Sequence, residues 1–287
     1  MSSNSAACMG LGINGMARSV RFFSLLFLIS VLLALFYVFD FSRLFIAVLG
    51  LTTLFIVFLL FHPRNQWLVA NRSRVDGASA NGGSCVALTF DDGPDPVYTP
   101  KLLDLLREKG VKATFFVIGK RADQYPEIVR RAWAEGHLVG NHTWSHYPLF
   151  CFLMPGRLRA EIDRCSESIR RSCGSLPRFF RSPVGLRHPL LAPYLEKAGL
   201  EYISWSIRTL DTFTTDSAVL VQRILSRAAS GDIILLHDHL PRGTDAMLQA
   251  LPQVIDELKA RGFEFVLAGP REDAGGTLEP TTCEPVR

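Results

Sequence analysis

The residues best suited to chemistry begin with two adjacent carboxylates at the end of an apolar run. Asp91 and Asp92 follow Val86 to Phe90 and precede Gly93-Pro94, a pair typical of a turn. Because side chains alternate along a strand, both carboxylates can face one cavity only if the strand ends here. One carboxylate could then hold a cation while the other exchanges protons. The alternative is a turn in which the carboxylates cap their own backbone amides.

A second polar segment carries two histidines four residues apart. His142 and His146 follow the apolar run from His137 to Gly140, and on a helical turn both imidazoles would project on one face. With Asp92 they would form a two-histidine, one-carboxylate set, which leaves coordination positions open for water and substrate. Such openness is typical of a hydrolytic metal site. A pair of surface histidines is the alternative.

Three further side chains that could take part in catalysis lie at or near the ends of apolar runs. Arg181 follows Phe179-Phe180 and could keep a neighbouring carboxylate ionised. His237 follows Ile233 to Leu236 and could protonate a leaving amine if a partner such as Asp211 adjusts its pKa. Taken singly, a surface arginine and a structural histidine are the alternatives, so the hypothesis of metal-assisted hydrolysis depends on the whole set.

The elements that must position these residues alternate between short apolar runs and longer segments of helical period. The predicted strands are Val86 to Phe90, Ala113 to Ile118, His137 to Gly140, Phe179 to Arg181, Tyr202 to Ile207, Ile233 to Leu236 and Phe263 to Leu267. The predicted helices are Pro100 to Lys109, Ala122 to Glu135, Leu158 to Ser172, Leu190 to Ala198, Asp216 to Ala229 and Asp245 to Arg261. The alternation predicts an α/β fold with parallel strands, and about seven such units favour a barrel over an open sheet.

The N-terminal part predicts a transmembrane helical hairpin. No charged residue occurs from Phe22 to Phe39 or from Leu44 to Phe61, and only Asp40 to Arg43 separates these runs. Each run is long enough as a helix to cross about 27 Å of hydrocarbon. A signal peptide or a buried core helix is the alternative. Arginines flank the outer ends of the hairpin, which favours a multi-pass inner-membrane protein with its catalytic domain on the cytoplasmic side: Arg18, Arg21, Arg64, Arg72 and Arg74.

Composition also predicts how the chain is divided into segments. We predict a cytoplasmic segment over 1–21, two membrane helices within 22–61, a polar linker over 62–84, a catalytic domain over 85–269 and a disordered tail over 270–287. The 31 basic and 27 acidic residues are largely interspersed, so the net charge of +4 gives no sign of a nucleic-acid partner. Cys165 and Cys173 lie on an apolar helical stripe, which predicts buried free thiols.

Five ordered segments over residues 85 to 268 together resemble the polysaccharide deacetylases with a NodB homology domain, carbohydrate esterase family 4. The segments are Thr89 to Pro94, His142 to His146, Arg181 to Gly185, Trp205 to Asp211 and Leu235 to Asp238. The resemblance implies a distorted (β/α) barrel and hydrolysis of an N-acyl group, expected to be acetyl, from an amino sugar.

The resemblance also implies a role for each site residue. The implied ligands of a divalent metal, usually zinc, are Asp92, His142 and His146. The implied proton carriers are Asp91 as general base and His237 as general acid, with Arg181 orienting the base and Asp211 tuning the acid. The implied substrate contacts are Pro183, Trp205 and Leu235.

Three positions depart from the pattern that this family commonly shows. Val184 stands in place of an aromatic residue, and Arg208 and Thr212 stand in place of an aspartate and a tryptophan. These positions would shape the sugar pocket, so the changes favour a lipid-linked amino sugar at the bilayer over chitin or peptidoglycan. The alternatives are a deacetylase of a cell-wall or exported polymer, and a catalytically silent, membrane-tethered glycan-binding protein. A metal-dependent phosphoesterase would usually need a second metal cluster.

Overall fold

A single sheet of nine parallel strands forms the centre of the computed structural model, which describes residues 15–38, 42–62, 65–75, 83–239, 244–272 and 278–279. The strands are β1 (Asn71–Arg72), β2 (Ser84–Asp91), β3 (Thr114–Val117), β4 (Leu138–Asn141), β5 (Phe179–Phe180), β6 (Glu201–Ile203), β7 (Ile207–Arg208), β8 (Asp232–His237) and β9 (Phe263–Phe265). Their order is β1-β6-β5-β4-β3-β2-β8-β7, and β9 pairs with the start of β2. The sheet curls into a half-barrel, which confirms the predicted distorted (β/α) barrel.

The predicted strand from Tyr202 to Ile207 is wrong as a single element, because the chain divides it between two edges of the sheet. β6 pairs with β5, whereas β7 pairs with β8. Between them, the Ser204 amide donates to the Arg72 carbonyl at 2.9 Å and the Ser206 amide donates to the Ile233 carbonyl at 3.0 Å. Residues 204–206 therefore carry the chain from one edge to the other. The apolar pattern could not reveal this division, since Ile203, Trp205 and Ile207 are all buried.

The helices lie around this sheet. They are α1 (Gly15–Val38), α2 (Ser42–Phe61), α3 (Tyr98–Glu108), α4 (Gly119–Gln124), α5 (Pro126–Ala134), α6 (Pro155–Cys173), α7 (Leu191–Ala198), α8 (Ser217–Leu225) and α9 (Thr244–Ala260). The predicted helix from Ala122 to Glu135 is in fact α4 and α5. Pro126 disfavours a helical conformation at Tyr125, whose φ is −133° and ψ is 55°.

Burial of the central strands fixes the positions at which they end. In β2 every residue after Ser84 is buried, as expected for a strand covered on both faces. This packing holds Asp91, the last residue of β2, at a defined position.

The predicted buried thiols are found at one position of two. Cys165 is a buried free thiol as predicted, whereas Cys173 is a free thiol of intermediate exposure.

The two N-terminal helices are apolar and largely exposed. The candidate spans run over Gly15–Leu35 and Arg43–Phe61, each long and apolar enough to cross a membrane. The first helix begins at Gly15 rather than Phe22, and its first turns pack on α7. The Gly15 amide donates to Glu196 Oε2 at 2.8 Å, and Ser19 Oγ donates to the Pro189 carbonyl at 2.7 Å. A Cβ on Gly15 would lie 2.5 Å from the Ala192 carbonyl carbon, so only glycine allows this contact.

The segments flanking the predicted domain contain short structure. In the predicted linker, Leu68 and Val69 are buried and β1 adds a strand to the sheet. In the predicted tail, β10 (Arg271–Glu272) pairs with β11 (Leu278–Glu279) in antiparallel fashion. The rest of the tail beyond 272, and the predicted N-terminal segment before Gly15, lie outside the described residues.

Candidate active site

Polar side chains meet at the carboxyl ends of the central strands. Asp91 is the last residue of β2, and His142 follows the last residue of β4. Arg181 follows β5, while His237 ends β8 and is the register partner of Asp91. Parallel strands end at one edge of a sheet, so residues far apart in sequence converge there.

Three side chains at this edge of the sheet form a cluster suited to a metal ion. The ligand atoms of Asp92, His142 and His146 all lie within 4.8 Å of one another. Asp92 Oδ1 lies 3.3 Å from His142 Nε2 and 3.1 Å from His146 Nε2. A φ of 75° at Asp92 breaks the alternation of the strand, which allows adjacent carboxylates to serve one site.

The hydrogen bonding of His142 shows that this cluster fits a cation. His142 Nδ1 lies 2.8 Å from the Arg181 carbonyl oxygen, which can only accept, so Nδ1 carries a hydrogen and Nε2 is the nitrogen available to a metal. Asp92 Oδ1 is buried and makes no hydrogen bond to any described residue. It lies 3.3 Å from His142 Nε2. A divalent metal bound by both atoms would give this buried carboxylate oxygen a partner.

The predicted helical turn from His142 to His146 is wrong, although the two imidazoles do converge. Their ring centroids lie 5.0 Å apart, but Thr143 and His146 have φ values of 65° and 52°, outside the helical region. Side chains satisfy the backbone instead: Asn141 Oδ1 accepts from the Thr143 amide, and Glu161 accepts from the amide and the hydroxyl of Ser145. These bonds hold an irregular loop in place of a helical turn.

Glu161 is a supporting residue that the sequence analysis missed. It is buried on α6 beside Leu158, Ile162 and Cys165, and both hydrogen bonds from Ser145 measure 2.7 Å. A carboxylate within an apolar helical stripe is costly to bury without partners. This interruption of the stripe is the signal that could have identified it.

Asp91 lies beside the metal cluster and is paired with a fully buried arginine. Arg181 NH1 donates to Asp91 Oδ1 at 2.7 Å, and the other carboxylate oxygen lies 3.8 Å from His142 Nε2. Three further donors of Arg181 bond, at 2.8 to 3.1 Å, to Ile203 O, Ser204 O and Thr89 Oγ1. This fixes one oxygen of Asp91 and leaves the other directed toward the cluster.

His237 is held by Asp211, as the sequence analysis expected. His237 Nδ1 donates to Asp211 Oδ1 at 2.9 Å, and the His237 amide donates to Asp211 Oδ2 at 2.8 Å. Burial alone would lower the pKa of His237. The hydrogen bond and charge of Asp211, with the charges of Asp92 and Asp91, outweigh burial and raise that pKa to about 9. The imidazolium is therefore available as a proton donor at neutral pH.

The three predicted substrate contacts lie beneath the surface of the site. Trp205 and Leu235 belong to a buried apolar cluster, and Pro183 begins a buried turn over Pro183–Gly185. A Cβ on Gly185 would lie 2.4 Å from the Trp205 ring, so the turn packs directly on that ring. Val184, in the same turn, is half exposed. Contact of the three residues with substrate stays a prediction.

Comparison with known proteins places this chain in a family. A model described as polysaccharide deacetylase matches residues 78–203. The chitooligosaccharide deacetylase of Bradyrhizobium sp. is 40% identical over 64% of this chain and 89% of its own length. The chain belongs to the polysaccharide deacetylase family.

A further relative and a solved structure are also similar to this chain. The peptidoglycan-N-acetylglucosamine deacetylase of Bacillus cereus is 36% identical to this chain. The matched region covers 63% of this chain and 66% of that protein. The crystal structure of the Bc1960 peptidoglycan N-acetylglucosamine deacetylase, in complex with 4-naphthalen-1-yl-N-oxidanyl-benzamide, has a TM-score of 0.65 and 32% identity. The likeness covers 69% of this chain and 90% of that chain. Asp211 and His237 lie beyond the matched residues 78–203, and the pairing of β2 with β8 joins them to the matched part.

Asp238 is a second residue of this deacetylase fold that the sequence analysis missed. It is buried, its Oδ2 accepts from Thr99 Oγ1 at 2.6 Å, and a Cβ on Gly93 would lie 2.1 Å from that oxygen. Burial is the largest cause that raises the pKa of Asp238 to about 7; the charges of Asp92 and Asp91 also raise this pKa, whereas the hydrogen bond from Thr99 lowers it. The side chain links the turn after β2 to the loop after β8.

Proposed function

We propose that the protein is a membrane-anchored, divalent-metal-dependent hydrolase that removes the N-acetyl group from an amino sugar of the N-acetylglucosamine type. The observation that carries the proposal is the buried Asp92 Oδ1, which makes no hydrogen bond to a described residue and lies 3.3 Å from His142 Nε2 and 3.1 Å from His146 Nε2. Beside this cluster stand a carboxylate with one committed oxygen, Asp91, and a tuned imidazole, His237. Metal-assisted amide hydrolysis needs these groups together.

Asp92, His142 and His146 would hold the metal, for which zinc fits the two-histidine, one-carboxylate donor set. When bound, a metal ion of this kind polarises the amide carbonyl and lowers the pKa of the attacking water. The oxygen of Asp91 that faces the cluster accepts a proton from that water as the water oxygen adds to the carbonyl carbon. The Arg181 bond to the other oxygen keeps the carboxylate oriented throughout.

His237 completes the reaction at the leaving nitrogen. As the bond between carbonyl carbon and nitrogen breaks, His237 Nε2 donates its proton to the nitrogen, and the products are acetate and a free amine. Asp211 on Nδ1 orients the imidazole and stabilises its charged form before transfer. The product gains a positive charge where the substrate was neutral.

Replacing Asp211 with asparagine is expected to move the alkaline limb of the kcat/KM profile to lower pH. His237 must be protonated to act, and activity falls as the pH rises through its pKa, raised to about 9. Asparagine removes the charge that raises this pKa, so a shift of about one pH unit or more is expected. Rates measured from pH 6 to 10 on a soluble chitooligosaccharide test it. The exposed Asp163→Asn change serves as control, and an unmoved limb would contradict the assigned acid.

The apolar hairpin supports anchoring in a membrane. The exposed surfaces of α1 and α2 are almost wholly apolar, and both outer ends of the hairpin contact the domain, so both lie on one side of the bilayer. Flanking arginines favour the cytoplasmic side of an inner membrane, where the substrate would be a lipid-linked amino sugar. A cell-wall or exported polysaccharide is the substrate if the domain faces outward.

Acetate and formate release from a substrate panel tests the proposed function. The panel holds acetamido and formamido sugars as chitooligosaccharides, as peptidoglycan fragments and as polyprenyl-phosphate conjugates, with and without chelator. We expect chelator-sensitive release of acetate from at least one N-acetylglucosamine derivative, restored by zinc. Stoichiometric metal binding without release from any substrate would instead support a silent glycan-binding protein.

A further inference from the structure

An apolar surface outside the active site surrounds the point where the hairpin meets the domain. We infer that this surface, the apolar rim, inserts into the lipid interface, so that the active site faces membrane-linked sugars. The rim consists of Trp67, Leu149, Phe152 and Met154, which are 57%, 53%, 72% and 74% exposed, respectively. The substrate part of this inference rests on the proposed deacetylase function, whereas the lipid contact does not.

The hairpin sets the level of the bilayer relative to the domain. Helix α2 has 20 residues and therefore spans about 30 Å, close to the thickness of the hydrocarbon core. Almost all of α2 is needed to cross, which puts its last turn at the membrane boundary. In that turn Leu59 and Leu60 are buried against the domain, and the Leu60 carbonyl accepts from the Arg187 amide at 3.2 Å. The domain thus begins where the hydrocarbon ends.

A buried apolar cluster extends this boundary to the loop after the metal cluster. Cys151 packs in one cluster with residues from both helices and from the domain, namely Phe22, Leu59, Leu60, Leu68 and Leu186. It is the middle residue of a 3-10 turn, Phe150–Phe152. Phe150 and Cys151 point inward, so Leu149, Phe152 and Met154 are left exposed beside the helix ends.

Trp67 joins the rim to α2. Its ring packs edge-on against Phe55 of α2, with ring centroids 6.0 Å apart, and Leu68 next to it belongs to the buried cluster. Tryptophan is the residue type that prefers the membrane interface. Exposed Arg157 and Arg159 follow Met154 and suit anionic lipid headgroups. Apolar side chains beside arginines at the level where two apolar helices end fit a bilayer surface.

The rim also fixes the distance between the active site and the membrane. Only three residue steps separate His146 from Leu149, at most about 11 Å between Cα atoms. A sugar attached to a lipid through a headgroup phosphate would sit at this height. The chemical class of substrate that the rim favours is therefore an amino sugar carried on a membrane lipid.

Photo-cross-linking tests the lipid contact directly. The full chain, with p-benzoylphenylalanine in place of Phe152, is placed in nanodiscs of phosphatidylethanolamine and phosphatidylglycerol and irradiated. Leu176 is the matched control: it is 61% exposed and lies beyond the far end of α6, whose 19 residues span about 28 Å. We expect a phospholipid adduct, seen as added mass on the intact protein, at 152 and none at 176. No adduct at 152, or a cross-linked dimer there, would overturn the inference.

A kinetic comparison tests the substrate class. The Phe152→Ser/Met154→Ser variant is expected to lose at least about fivefold in kcat/KM on a polyprenyl-linked amino sugar in nanodiscs, while keeping wild-type rates on a soluble chitooligosaccharide. Leu176→Ser should change neither rate. An equal loss on both substrates, or no loss on either, would contradict the assigned class. Failure of the wild-type chain to hydrolyse any substrate would count against the proposed function, and the lipid adduct at 152 would still decide the membrane contact.

Discussion

Replacement of His142 with alanine is expected to abolish acetate release and to weaken metal binding by at least about 100-fold. Loss of a residue that only supports a ligand costs 10- to 100-fold, and His142 is itself a proposed ligand. Its Nδ1 bond to the Arg181 carbonyl turns Nε2 toward Asp92 Oδ1, which lies 3.3 Å away. Competition with a chromogenic zinc chelator measures the affinity, and acetate release at saturating zinc measures the chemistry.

His188→Ala is the matched control for this loss. His188 is also buried, but it bonds to the Leu153 carbonyl and the Leu190 amide, away from the metal cluster. Its loss should lower the thermal midpoint while leaving one metal bound per chain with unchanged affinity. If both alanine variants bound metal equally well, the assigned ligand set would be incorrect.

Replacement of Arg181 with methionine is expected to lower the free energy of unfolding by about 3 to 5 kcal/mol, the usual cost of removing one partner from a buried ion pair. Arg181 is fully buried, and its loss leaves the Asp91 carboxylate without its cation. The same change frees Asp91 to rotate, so kcat should fall by about 100-fold or more. Urea denaturation and single-substrate kinetics measure the two effects.

Two further variants separate charge from packing. Arg159→Met removes an exposed arginine paired with Asp163, and should change stability by less than about 1 kcal/mol. Adding Asp91→Asn to Arg181→Met removes the unpaired charge and should recover part of the lost stability. A double variant no more stable than Arg181→Met alone would show that the cost comes from lost packing.

The convergence of the candidate site residues could be predicted where a residue stands at the end of a strand. Asp91 and His237 end apolar runs, and parallel strands bring such ends together, which is why their proximity in the fold could be expected. Asp211, by contrast, follows a two-residue strand, so its residue type and the family resemblance, rather than a long apolar run, suggested it as the partner of His237. The type of each residue limited the reactions in which it could take part, and its position near a strand end limited where in the fold it could lie.

The sequence failed where distant contacts override local pattern. The spacing of His142 and His146 suits a helix, yet Glu161, on α6, holds the intervening residues in a loop with positive φ angles. The docking of α1 on α7 depends on Gly15, a residue with no local pattern to mark it. Such contacts join segments far apart in the chain, and no periodicity within one segment records them.

The crossing at residues 204–206 restricts how this chain can tolerate insertions. β6 pairs with β1 and β5 near one end of the strand order, and β7 pairs with β8 at the other, so one added residue between them would have to displace one of these pairings. The Ile203 and Ser204 carbonyls also accept from Arg181, and any displacement there would move the partner of Asp91. The exposed turn after α6, where Gly174 has a positive φ and open space around it, carries no such restriction. Changes in length should therefore be accepted at that turn and rejected at the crossing.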